Sequence, residues 1–257
     1  MPKLNWNSND FRNPQDSSGT VADNISRSGN LQQGYSHGSL TEGLVAYYPM
    51  SSGEGSTLID EALDNDGTIN GASWSTDSRI GEACLSFDGS DDHVEAPDSA
   101  SLDITGSELT MSAWIYLDSV PSNNKDMILN KENEYEMAVG TSGTVEWAIR
   151  RGGNWSWIDS GVSVPTGSST LVSMVYTGSE VRIYKNGILG DTYSLTGNID
   201  SNSKPFTIGW RSSDGESPWN GKIDDVRVYD RSLSTPEIKA LSDFGQVSMI
   251  SPSDTLK

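Results

Sequence analysis

The chain is 257 residues long and carries 36 acidic against 17 basic side chains, a net charge of −19 at neutral pH. That charge repels phosphate backbones and anionic lipid surfaces, so nucleic-acid binding is excluded as a function class. One cysteine and two histidines exclude an internal disulfide, a thiolate zinc site and a multi-histidine metal centre.

Residues 1–40 are rich in Asn, Ser, Gln and Gly, with isolated large side chains at Leu4, Trp6, Phe11, Val21, Ile25, Leu31 and Tyr35. No period of 2 or 3.6 holds there. A disordered leader and an extended arm that docks on another chain are both open; the spaced aromatics favour the arm. Its partner would be another protein of the same particle or a second copy, which makes a homo-oligomer the expected state. Met1 to Asn7 lack the apolar stretch of a secretory signal, and no apolar run is long enough to span a membrane.

From Thr41 to Asp243 short alternating segments are broken by turn signals. Leu109, Met111, Ala113, Ile115 and Leu117 alternate with Thr110, Ser112, Trp114 and Tyr116, which predicts a strand with one core face. Tyr135, Met137 and Val139 repeat the pattern, as do residues 171–176 and 181–184, linked through Gly178-Ser179. Asn186-Gly187 is a type I′ hairpin dipeptide. Residues 206–210 and 223–229 complete the strands. Ser234 to Leu241 reads as one helix, with Ser234 as N-cap, Pro236 in the first turn and Glu237 three residues after the cap. Residues 244–257 form a polar tail. The pattern predicts an all-β sandwich or jelly roll with one short C-terminal helix.

Six blocks in this region carry a resemblance. They are Gly43–Met50, Asp66-Gly-Thr68, Leu85–Asp98, Leu109–Tyr116, Val181–Gly187 and Asn220–Tyr229, the last followed by Arg231-Ser-Leu-Ser234. In this order they resemble the laminin-G-like, concanavalin A-like lectin/glucanase jelly roll, a sandwich of two antiparallel sheets. The resemblance covers about 200 residues, roughly 41–243, and leaves out the first 40. It implies a fold that hosts lectins, adhesins, spacer modules and glycosidases, so function must come from the site.

Alternation with Val226 and Val228 points Asp224 inward, where a carboxylate needs a partner. Asp88-Gly-Ser-Asp-Asp92 sits on a turn freed by Gly89. The resemblance implies a structural Ca²⁺ between these segments, with Asp88, Asp92 and Asp224 as ligands, Asp91 as a weaker one and turn carbonyls completing the shell. The alternative is that Asp224 pairs with Arg227 or caps a turn without metal. Asp64-Asn-Asp-Gly67 and Ser212–Trp219 resemble an EF-hand loop and an Asp-box but lack the required spacing, so both read as turns.

Trp155 and Trp157 are expected on one strand face. With Trp210 and Trp219 they offer flat surfaces for the C–H faces of sugar rings, and Arg151, Asn154 and Arg211 lie close in sequence to bond hydroxyls. Ordinary core packing of these indoles is the alternative. Glu132-Asn-Glu-Tyr-Glu136 alternates carboxylates, as a glycosidase pair would require, but departs from the laminarinase-type signature. A solvated strand face is the expectation there, and no enzyme activity is expected.

Three functions compete. The first is a virion surface protein that uses the jelly roll to attach to a host glycan or glycoprotein. The Asp-rich surface then implies a halophilic host, because salt screens carboxylate repulsion. The second is a cellular extracellular adhesin or carbohydrate-binding module; the third is a glycoside hydrolase.

Overall fold

A computed structural model describes residues 40–211 and 217–247, with side chains to 244. The expected arm at 1–40 (bar Leu40), the tail beyond 247 and the Asp-box look-alike at 212–216 lie outside the described residues.

The chain order is β1 (Leu44–Tyr48), β2 (Thr57–Leu58), β3 (Gly67–Asn70), β4 (Ser73–Ser75), β5 (Cys84–Asp88), β6 (His93–Ala96), β7 (Leu109–Leu117) and β8 (Asp126–Lys131). Then come β9 (Tyr135–Val139), β10 (Thr144–Ile149), β11 (Ile158–Ser163), β12 (Ser169–Tyr176), β13 (Glu180–Lys185), β14 (Ile188–Ser194), β15 (Phe206–Ile208), β16 (Asn220–Tyr229) and α1 (Thr235–Val247). Every named pairing is antiparallel. The first sheet runs β14-β13-β12-β7-β16-β5-β4, with β1 also on β16. The second runs β11-β10-β9-β8-β15-β6-β3-β2. Neighbours distant in sequence, such as β7 beside β16, make this a jelly roll of two sheets, as the strand pattern and the resemblance imply.

The alternating side chains meet between the sheets. Met111, Ala113 and Ile115 of β7 pack in one core with Met137 and Val139 of β9 and with Ile223 and Val228 of β16. The other face of β7 is also covered: Trp114 joins Leu171, Tyr184, Tyr229, Ile238 and Leu241 in a second cluster beneath α1. The helix begins at the expected cap, where the Glu237 carboxylate accepts from Ser234 N at 2.8 Å and from Ser234 Oγ at 2.7 Å. It runs past the expected end at Leu241 to Val247. Asn186 and Gly187 have φ of 50° and 77°, as a type I′ turn between β13 and β14 requires.

The main departure lies in β16. Register shifts between Asp224 and Arg227, and Asp225 has φ 47°. One extra residue there is a β-bulge, which inverts the inside–outside alternation along the strand. Ile223 and Val226 therefore both face the core, and Asp224 pairs with Trp114 on the outer face. The expectation that Asp224 points inward with Val226 and Val228 is corrected by that bulge.

Among the described residues no helix is long and apolar enough to cross a membrane.

Candidate functional site

Asp88 ends β5, and Asp91 and Asp92 complete the turn into β6. Gly89 makes this turn possible: its φ is +79°, and a Cβ there would stand 3.0 Å from Asn220 Cβ. Carboxylate oxygens of Asp88, Asp91 and Asp92 lie within 4.8 Å of one another. Asp92 Oδ2 accepts from Asp88 N at 2.9 Å, and Asp88 Oδ1 accepts from Ser90 N at 2.8 Å. Burial, and then the charges of Asp88 and Asp91, raise the Asp92 carboxyl above its ordinary range against the opposing Asp88 N–H. Three hard oxygen donors on one turn fit Ca²⁺ in chemistry.

Asp224 does not join them. Asn220 is the β16 residue opposite Asp88, and Asp224 lies four residues further along, about 13 Å by strand rise. Its Oδ2 instead accepts from Arg79 N at 2.9 Å and Ile80 N at 2.8 Å, tying the segment before β5 to the sheet. It is 3 % exposed, and burial pushes its carboxyl up to about 7. Arg227, its expected alternative partner, is bound to Asp225 at 2.9 Å. Asp224 shares a small recess with Arg79, Cys84 and Trp114, and the Arg79 guanidinium lies 4.6 Å from the Trp114 ring centre.

The outer face of the second sheet gathers most of the expected sugar-binding residues. On β9, Tyr135, Met137 and Val139 face the core, so Glu136 faces outward, in register with Asn130 of β8 and Ala148 of β10. Asn130 in turn pairs with Thr207 of β15. Thr207 Oγ1 donates to Trp210 O at 2.7 Å, which draws the chain after β15 across this face. Arg211 then reaches Glu132 Oε2 at 3.1 Å and Glu136 Oε2 at 3.4 Å.

Trp157 stands beside this ion cluster. Lys125 Nζ lies 4.6 Å and Arg211 Cζ 5.9 Å from its ring centre. Trp155 meets Trp157 edge-on, 6.0 Å between centres at 86°. Both indoles are half-buried, and they sit in the loop before β11 rather than on a strand, so the expected shared strand face is replaced by this T-shaped pair. Lys125 is also paired with Glu146 at 3.4 Å. Trp210 stacks on His93, 5.4 Å between centres at 24°.

Arg151 and Asn154 close the turn that leads to Trp155. Their backbones exchange hydrogen bonds of 3.1 and 3.0 Å, and the Asp200 carboxylate accepts from Gly152 N and Gly153 N at 2.7 Å each. Asn154 is exposed, whereas Arg151 Nη1 donates to Thr196 O at 3.1 Å. Trp219 does not belong to the surface: it is 0 % exposed and packs in the core between the sheets.

The Glu132–Glu136 segment differs most from expectation. Glu132 and Glu134 lie in a tight turn between β8 and β9, with Asn133 at φ 62°, and Glu132, Glu134 and Glu136 are all buried. A solvated strand face is thus replaced by a charged, buried network. Lys131, 0 % exposed, is bound to Asp98, lies 3.1 Å from Asp103 and 3.7 Å from Glu134, and donates to Lys204 O at 2.5 Å. Glu134 accepts from Asn202 N at 2.6 Å, and burial pushes its carboxyl up to about 7. Lys125 at the Trp157 site and Lys131 in the Asp98–Glu134 cluster are not singled out by the sequence pattern, and Glu132 and Glu136, considered there as a glycosidase pair, are partners of Arg211. Four charges within Lys131-Glu-Asn-Glu-Tyr-Glu136 were the available signal, since a dense mixed-charge run beside a core strand suits internal pairing.

The sequence model of the concanavalin A-like lectin/glucanases superfamily matches residues 88–239. No curated protein sequence matches the chain. Solved structures do. Domain 4 of AbnA, a GH43 extracellular arabinanase from Geobacillus stearothermophilus, in complex with arabinotriose, is 18 % identical with a TM-score of 0.62, over 77 % of this chain and 98 % of that one. The binding domain of Paraclostridial Mosquitocidal Protein 1 is 16 % identical with a TM-score of 0.64, over 79 % of this chain and 52 % of that one. The botulinum neurotoxin serotype D binding domain is 16 % identical with a TM-score of 0.58, again over 79 % and 52 %. The match thus spans about half of each toxin domain. At these identities the likeness is one of fold.

Proposed function

From the premise that the chain belongs to the concanavalin A-like lectin/glucanase superfamily, we propose that it is a binding module that takes a saccharide on the outer face of its second sheet. The carrying observation is Trp157, half-buried beside Trp155, with the Lys125 ammonium 4.6 Å and the Arg211 guanidinium 5.9 Å from its ring centre. An aromatic face packs the C–H face of a pyranose or furanose ring, and the polar groups around it orient the hydroxyls. Trp210 on His93 and the exposed Asn154 extend the surface. The arabinanase domain, whose structure holds arabinotriose, gives the reading support from a protein of the same fold.

Binding is favoured over catalysis by the state of the carboxylates. A glycosidase needs two carboxyl groups facing the bond to be cleaved. Glu132 and Glu136 are instead held together by one guanidinium. The virion setting and brine-dwelling host expected from the sequence find no support in the fold or in the matched proteins; those support a binding module.

The test is retention on immobilised oligosaccharides. Trp157→Ala should lose it, and Trp157→Phe, which keeps an aromatic face, should retain part. Equal retention by the alanine variant and the unaltered chain would remove this site from consideration.

A further inference from the structure

The ligand class follows from how the charges around the indoles are spent. Lys125 is paired with Glu146, Arg211 with both Glu132 and Glu136, and Arg150 with Asp200 at 3.6 Å. Arg151, on the turn before Trp155, gives Nη1 to a backbone carbonyl. Lys125 and Arg211, the two cations at the Trp157 ring, are thus each paired with carboxylates of the fold.

We infer that the saccharide taken at Trp157 is uncharged, and that sialylated, sulfated and uronic-acid glycans are discriminated against. This rests on the proposed site at Trp157. An anionic sugar gains at a protein surface when it meets an uncompensated cation in forked geometry. Here it would have to take Arg211 from two buried carboxylates or lie beside Glu132, Glu136 and Glu146 without a counter-charge. Leaving a buried carboxylate unpaired is strongly unfavourable, and so is placing like charges together. A neutral ring meets neither penalty. It needs only the indole face and the hydrogen-bonding edges that the ion pairs leave outward. The two cations contribute by polarising and positioning Trp157, since both lie over its ring. The net charge of −19 works in the same direction at longer range.

The experiment is a printed array of neutral, sialylated, sulfated and uronic-acid oligosaccharides, probed with the full chain and with Trp157→Ala. The best ligand is then titrated at about 0.1 M and about 1 M NaCl, between which the Debye length falls from about 10 Å to about 3 Å. The expected result is a neutral ligand lost in Trp157→Ala. Its acidic counterparts should bind about tenfold or more weakly. Its affinity should change by less than about twofold between the two salts. A best ligand that is anionic, depends on Trp157 and weakens steeply with salt overturns the neutral assignment and leaves the site standing. A neutral ligand that binds Trp157→Ala as well as the unaltered chain overturns the site. Retention of no member of the array overturns the saccharide reading itself.

Discussion

Asp224 stands opposite Trp114 across β16 and β7, on the outer face of the first sheet, while Val226 two residues later faces the core. The bulge at Asp225 separates the two parities. Asp224, four residues along β16 from the partner of Asp88, has a structural task instead, accepting the amides of Arg79 and Ile80.

That setting predicts an unusual pH dependence. Burial pushes Asp126, Glu134 and Asp224 each up to about 7. Between about pH 4 and pH 7 the folded chain holds protons that the unfolded chain releases, so stability falls as pH rises through that window and levels above it. Each group contributes on the order of 1 kcal/mol or more to that fall. Asp224→Asn keeps an amide oxygen for Arg79 and Ile80 but cannot ionise. Thermal melts from pH 5 to pH 8 should show a shallower decline for Asp224→Asn than for the unaltered chain, and shallower again with Glu134→Gln added. Parallel curves for all three chains would refute the assignment.

Arg211 is predicted to hold the binding face together. Arg211→Ala leaves Glu132 and Glu136 without their shared guanidinium, at a cost of about 3 kcal/mol. Adding Glu136→Gln to Arg211→Ala should recover part of that loss, because it removes one buried charge. Urea denaturation of the single and double variants measures the coupling, and strict additivity would contradict the network.

For the Asp88 turn we propose a Ca²⁺ held by Asp88, Asp91 and Asp92 with turn carbonyls, and without Asp224. An ion bound only to the folded chain raises stability by about 2.7 kcal/mol at a concentration of about 100 Kd. A domain of this size then gains roughly 5–10 °C in Tm. Calcium should raise the melting temperature, chelator should lower it, and Asp92→Asn should abolish the difference while Asp224→Asn preserves it. A melt that ignores both calcium and chelator ends the case.

Gly221 should tolerate no side chain. Its φ is +139°, and a Cβ there would stand 2.0 Å from Tyr116 O and 3.2 Å from Asp118 N, both backbone atoms that cannot step aside. Gly221→Ala is expected to destabilise by about 3 kcal/mol, read by denaturant midpoint. Gly152→Ala is the contrast at the exposed turn, where strain at φ +54° is the only penalty and nothing lies within 4 Å. Equal losses at the two positions would show that close approach is not the cause.

Local pattern was legible wherever one strand or one turn decided the outcome. β7 and β9 have the predicted bounds because alternation over five to nine residues specifies a core face. Asn186-Gly187 and Ser234–Glu237 announced their turn and cap because their own backbone and side-chain chemistry closes them. The indoles were legible only as a set. Trp155, Trp157 and Trp210 reach the surface and Trp219 the core, and nothing in residue type distinguishes them.

By itself the sequence determined the sheet-forming pattern, the single helix, the sandwich class and the overall negative charge, since each depends on composition or on neighbours along the chain. Only the tertiary structure decided which charges meet. Arg211 lies 79 residues from the Glu132 carboxylate it pairs with, and Asp224 accepts from the backbone amide of Arg79, 145 residues away. The bulge that turns Asp224 outward is a property of β16 paired with β7, not of β16 alone. Pairings at such separations are set when strands distant in the chain come together within a sheet, because burial forces each charge to find the partner that packing brings within reach.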